Sequence, residues 1–225
     1  MEIKWLGHSS FRIISKNGIR IIIDPYGKGR WGLKARIFKM ICEESSESAD
    51  VAISTHPRHW DHGNIKAIQG NLAIITGYGE QEAKGVVFRG IKSRHGSPWI
   101  MRSQNTIFCF NVDGFDICHL GDIGYPLDDR QFNEIGSVDV LFVPIGGFAT
   151  VGPEAAAKIC RQLNPGFIVP MHCQNNYCKF PFFADMSGFK NAFPEGIWYH
   201  ENEEVDLEKF SRSVKTRVLI FESLR

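Results

Sequence analysis

An apolar run of strand length, Val51-Ala52-Ile53-Ser54, leads straight into Thr55-His56-Pro57-Arg58-His59-Trp60-Asp61-His62-Gly63-Asn64. Three of the chain's eight histidines and one aspartate fall between His56 and His62. A buried strand ending in imidazoles and a carboxylate constrains the fold, because burying such groups is costly unless they share a task. Nitrogen and oxygen donors of this kind hold zinc, manganese or iron. Pro57 disfavours helical backbone at the residue before it, so His56 is expected to continue the extended line of the strand. Gly63-Asn64 marks a turn before residues 65–69, which read as a short helix.

The same grammar recurs along the chain. Arg20-Ile21-Ile22-Ile23 stops at Asp24, and residues 85–91 run on to His95. Residues 115–120 deliver Gly121-Asp122, and Phe167-Ile168-Val169-Pro170-Met171 stops at His172. Strand ends gather along one edge of a sheet, so residues distant in sequence converge there. His56, His59, His62, His95 and His172 with Asp61 and Asp122 are a supply that suits two metal ions sharing a carboxylate. His8, in the turn Gly7-His8-Ser9-Ser10, either faces the same end of the sheet or bonds its own backbone.

Residues 2–6, 10–15 and 19–24 read as an opening antiparallel meander, with Lys16-Asn17-Gly18 as a hairpin turn. Residues 31–43 read as a helix and residues 72–76 as a strand. The polar link 96–105 is expected to be an exposed loop. Residues 106–111 and 115–120 form a hairpin, 127–135 a short helix and 138–144 a buried strand. Pro153 followed by alanines predicts a helix over 153–163. Residues 173–186 read as a loop rich in aromatics, and the remainder holds one or two strands and a helix. This alternation argues against an all-β barrel, and the meander excludes a purely parallel sheet. The class is α/β.

At 225 residues the chain is expected to be a single domain over 1–225. Lys plus Arg is 26 and Asp plus Glu is 25, which gives no footprint for a polyanionic nucleic acid. Met1-Glu2-Ile3-Lys4-Trp5 carries charges where a secretory leader needs an apolar stretch. No run reaches the roughly 18 apolar residues of a membrane span. The six cysteines include no C-x-x-C pair and are expected to be reduced thiols of a cytoplasmic protein.

Taken together, Trp5-Leu6-Gly7-His8, Asp24, the His-rich loop, His95, His119-Leu120-Gly121-Asp122, Pro144-Ile145-Gly146-Gly147 and Pro170-Met171-His172 resemble the metallo-β-lactamase superfamily. Within it the chain is most similar to the small single-domain hydrolases related to the ascorbate-phosphate lactonase branch, over nearly its whole length. The resemblance implies a four-layer αββα sandwich with the metal site at one edge of the two sheets. It implies that His56, His59 and His95 hold one metal, that Asp61, His62 and His172 hold the second, and that Asp122 bridges. Asp24 takes the place of the supporting carboxylate behind the ligands. His119 is left as structural, since strand alternation turns it away from Asp122.

One departure stands out. The family has one residue between the first two histidines of its loop, and this chain has two, Pro57 and Arg58. Either the loop bulges and His56 still reaches the metal, or Pro57 occupies the ligand position and the first site is weakened. The implied function is a metal-dependent, dinuclear hydrolase, zinc being the first choice of divalent ion over manganese or iron. A bound metal lowers the pKa of its water toward about 7, and the resulting hydroxide attacks a lactone, ester or phosphodiester. Asp61 would ligate the second ion and orient that hydroxide, and His8 would help hold the transition-state anion. Two other readings are a metal-binding or regulatory protein with an impaired first site, and a di-iron redox protein. The expected partner is a small-molecule substrate, with Arg58, Arg94, Arg102 and Lys179 as candidate contacts for an anionic group.

Overall fold

The computed structural model of the chain describes residues 1–26, 47–57, 63–97, 100–176, 180–210 and 215–221. Two sheets carry the fold. In the first, β1 (Glu2–Gly7), β2 (Ser10–Ile14) and β3 (Arg20–Ile23) form an antiparallel meander. Parallel strands β4 (Val51–Ser54) and β5 (Ala73–Thr76) extend it on the β3 side. The second sheet opens with β6 (Gly79–Ala83), β7 (Val86–Ser97), β8 (Ile100–Val112) and β9 (Phe115–His119), paired antiparallel in succession. It continues in parallel through β10 (Val140–Pro144) and β11 (Phe167–Met171). After β12 (Ile197–Glu201), the short β13 (Glu204–Asp206) returns to pair with β1. β14 (Arg217–Phe221) lies between β11 and β12.

Period-two alternation explains how one strand feeds two cores. Val140 and Phe142 of β10 enter the cluster between the sheets, whereas Leu141 and Val143 enter a second cluster on the outer face. Ile21 and Ile23 of β3 likewise point between the sheets, and Ile22 packs outward on Ala49 and Ile68. Helix α1 (Asp129–Ile135) opens with a reciprocal capping box between Asp128 and Gln131. Helix α2 (Pro153–Leu163) buries Ala156, Ala157, Ile159 and Cys160, the i, i+1, i+3, i+4 stripe of one helix face. It packs with Phe189 of α3 (Met186–Ala192) against the outer face of the second sheet. Outside the first sheet, the described residues supply a 3-10 turn, Ile65–Ala67, where a short helix over 65–69 was expected. The helix expected over 31–43 lies outside the described residues.

Three readings need correction. Residues 100–105 are not an exposed loop: β8 begins at Ile100, and His95 pairs with Ser103 and Arg94 with Gln104. The polar composition misled because this stretch is stabilised by its partner strand and by the burial of Asn105 and Thr106. Gly79–Ala83, for which no strand was expected, is an edge strand among the described residues, and its acidic Glu80 and Glu82 are exposed at no cost to a core. The described residues of the C-terminal region hold three strands, where one or two were expected.

Candidate metal centre

Parallel pairing of β3 with β4 brings Asp24 beside Thr55 at the ends of the two strands. Asp24 is buried in a left-handed conformation, φ 47°, and donates its backbone N–H to Ile53 O at 2.9 Å. Its Oδ1 accepts from the Thr55 backbone N–H at 2.7 Å, and its Oδ2 accepts from the Thr55 hydroxyl at 2.8 Å. With that hydroxyl proton committed, Thr55 Oγ1 can only accept from His56 Nδ1, 3.0 Å away. The His56 tautomer follows: Nδ1 carries the proton and Nε2 keeps the lone pair that a metal takes. The His56 ring is buried, with its centroid 4.9 Å from that of His95. Replacing the hydroxyl in Thr55→Val is expected to weaken metal affinity about 10- to 100-fold, with Thr55→Ser near wild type. Competition against a chromogenic chelator measures this, and unchanged affinity in Thr55→Val would break the relay.

Asp122 is held from behind by Asn105. The fully buried Asn105 accepts the Asp122 backbone N–H on Oδ1 at 3.0 Å, and its Nδ2 donates to Leu120 O at 2.8 Å and Ser93 Oγ at 2.5 Å. Asp122 Oδ2 then faces two imidazoles, His172 Nε2 at 3.4 Å and His95 Nε2 at 3.9 Å. Ligands about 2.0–2.1 Å from a tetrahedral zinc sit roughly 3.3–3.4 Å from one another, so the Asp122–His172 spacing fits two donors on one ion. Ser103 Oγ lies 3.3 Å from His95 Nδ1, on the side of the ring away from Asp122. His95 sits inside β7, two residues before its end, a correction to the expectation that every one of these residues lies at or beyond a strand terminus. Arg94 alternates to the exposed side of the same strand, away from the His95 face.

His172 and His8 both adopt φ 51°, and their rings stand 4.1 Å apart, centroid to centroid. Two non-glycine residues in the left-handed region at one spot are a local strain held by the surrounding structure. Phe183 packs 4.9 Å from the His172 ring and 6.2 Å from that of His8. A recess of about 310 Å³ opens beside both histidines, with Phe11, Met171 and Phe221 among its apolar lining and Gln174 and Asn176 among its polar one.

His119 lies elsewhere. Its Nδ1 accepts the Gly121 backbone N–H at 3.1 Å, so its Nε2 donates to Ser9 O at 3.3 Å, and the ring rests against Phe11 and Phe142 between the sheets. It bridges the two sheets and offers neither nitrogen to a metal.

His59, Asp61, His62 and Arg58 lie outside the described residues, as do Lys179 and the Arg102 side chain. Among the described residues alone, no three of His, Cys, Asp and Glu close into a metal cage. What they supply is Asp122 facing His95 and His172, with His56 beside His95 in a tautomer that leaves its outer nitrogen basic. This donor set fits a divalent ion and lacks the ligands expected from 59–62. Thr55, Ser93, Ser103 and Asn105, which hold the donors in place, were missed in the sequence. Serine, threonine and asparagine in strands carry no signal of their own, and only strand register shows which of them face a histidine or an aspartate.

The sequence family described as Beta-lactamase superfamily domain matches residues 2–172. A metal-dependent hydrolase of a Geobacillus species is 29% identical over 230 residues, spanning 88% of this chain and 95% of its own length. A metal-dependent hydrolase of Thermococcus onnurineus is 30% identical over 216 residues, with 84% and 91% covered. Among solved structures, a protein from Thermotoga maritima described as a Zn-dependent hydrolase of the metallo-beta-lactamase superfamily aligns with a TM-score of 0.78 at 28% identity. That alignment covers 99% of this chain and 98% of the other.

Proposed function

Because the chain belongs to the beta-lactamase superfamily, we propose that it is a metal-dependent hydrolase working at the junction of Asp122, His95 and His172. The observation that carries this reading is the single Asp122 oxygen facing two imidazole nitrogens, behind which Asn105 spends its hydrogen bonds on position. The reading gives His56, His59 and His95 to one zinc ion and Asp61, His62 and His172 to a second, with Asp122 shared. Bound there, such ions would supply Lewis acidity and an acidified water.

The chain's own groups do the remaining work. The Asp24–Thr55 pair fixes the tautomer of His56, and Asn105 holds the backbone of Asp122 in place. Asp61, assigned through the resemblance, would orient the attacking water and take up the proton that must leave. His8 and Phe183 cover one flank of His172 and limit the entry of bulk water, strengthening the electrostatic attraction on the reacting group. The described lining of the recess beside His172 joins the rings of Phe11 and Phe221 to the amides of Gln174 and Asn176 and the carboxylate of Asp185. This lining supports an uncharged lactone or ester over an anionic phosphodiester, which the carboxylate would repel.

Purified protein, stripped with chelator and reloaded with zinc or manganese, provides the test against matched panels of lactones, esters and phosphodiesters. The expected result is metal-restored turnover of a lactone or ester at least about 10-fold above the best phosphodiester. Turnover that ignores chelation and reloading would overturn the hydrolase reading, and a preference for phosphodiesters would overturn the choice of substrate.

A further inference from the structure

Four phenylalanines from two loops gather on one side of His172. Phe180, buried, lies at their centre, with ring centroids 4.8 Å from Phe183, 5.2 Å from Phe148 and 5.4 Å from Phe182. Phe148 and Phe182 stack nearly parallel, 5.9 Å apart and 19° between planes. These two are also the exposed end: Phe148 is 47% and Phe182 68% open to solvent. The inner end is Phe183, against the rings of both His172 and His8. Aromatic rings therefore run without a break from solvent to the candidate metal centre.

Phe148 is held in an unfavourable way. Its φ is 60°, directly after Gly147 at 69°, in a turn closed by Gly147 N–H to Val151 O and Thr150 N–H to Gly147 O. A bulky side chain in the left-handed region is an outlier, and such outliers concentrate at functional sites. Strain that presents a half-exposed ring toward solvent gives little back to the core.

We infer that Phe148 and Phe182, with Phe183 behind them, are specificity-determining residues that select a substrate carrying a flat aromatic arm. The inference rests on the hydrolase reading above and deepens it. Ring-on-ring contact at these spacings suits a planar apolar group, whose other end then reaches past Phe183 to His172. The exposed area decides between a small molecule and a protein partner. Two rings of roughly 150–250 Å² each, about half exposed, offer on the order of 200 Å². A stable protein interface needs about 800 Å² per partner.

The test compares phenylacetate and acetate esters of one alcohol on the metal-loaded protein, wild type against Phe182→Ala, Phe148→Ala and Phe148→Tyr. Phe182 is largely exposed, so Phe182→Ala should leave the thermal midpoint within about 2 °C. The expected result is at least a 10-fold wild-type preference in kcat/KM for the phenylacetate ester. That preference should fall several-fold in Phe182→Ala and Phe148→Ala and survive in Phe148→Tyr. No wild-type preference, or one unchanged in Phe182→Ala, would overturn the inference. If neither ester is turned over, the choice of an ester substrate fails separately, and saturation-transfer NMR with phenylacetate against acetate tests the aromatic site by itself. Phenylacetate binding weakened in Phe182→Ala would support the site, and equal binding to both proteins would overturn it.

Discussion

Asp122→Ala is expected to lose metal outright, with affinity falling more than about 100-fold and turnover at least as far. The reason is geometric. One oxygen of Asp122 faces both His95 and His172, so its removal deprives two histidines of their shared neighbour. Changes in the layer behind the ligands cost about 10- to 100-fold, and Asp24→Asn belongs in that milder class because Asp24 acts through Thr55. Elemental analysis after exhaustive dialysis separates the two variants. Full metal content in Asp122→Ala would remove Asp122 from the site and take the proposed arrangement with it. Restoring saturating zinc to Asp24→Asn should recover most of its activity, whereas the same treatment of Asp122→Ala should not.

Gly121→Ala should damage the site and the fold together. A methyl at residue 121 would sit 2.3 Å from Asn105 Oδ1, 2.8 Å from Thr55 Cβ and 2.9 Å from Thr55 Oγ1. None of these atoms can retreat cheaply, because Asn105 positions Asp122 and Thr55 positions His56. The backbone adds its own objection, with φ at 59°. Overpacking of about 1–3 kcal/mol and a left-handed penalty of about 1–2 kcal/mol act at one residue, so a loss of roughly 3 kcal/mol is expected in urea denaturation. Gly114→Ala is the control. Gly114 also has positive φ, 80°, but nothing lies within 4 Å of its added methyl, so only the backbone penalty applies. Equal losses in the two variants would show that conformation, not the contact with Asn105 and Thr55, governs residue 121.

Elements whose information is local were legible along the chain. The meander was legible from apolar runs broken by Gly7-His8-Ser9-Ser10 and Lys16-Asn17-Gly18. The helix Pro153–Leu163 was legible from its first residue and its alanines, because capping and propensity act within a few residues. It was also legible that Asp24, Asp122 and His172 follow strands, since each stands where an apolar run stops.

What those residues face depends on contacts between distant segments. Nothing in Met101-Arg102-Ser103-Gln104-Asn105 marks a strand, and its pairing with β7 is a contract between segments. That pairing brings Ser103 to His95 and buries Asn105 behind Asp122. His119 and Asp122 are near neighbours in sequence, yet one packs on Phe11 and Phe142 and the other faces His172. The extra residue between His56 and His59 left the aim of His56 open. Its place beside His95 and its tautomer came from Thr55, whose hydroxyl was directed by Asp24 on another strand. The physical reason is common to these cases. A hydrogen bond or a ring contact depends on distance in space, and sequence records such distances only where the chain turns back on itself within a few residues.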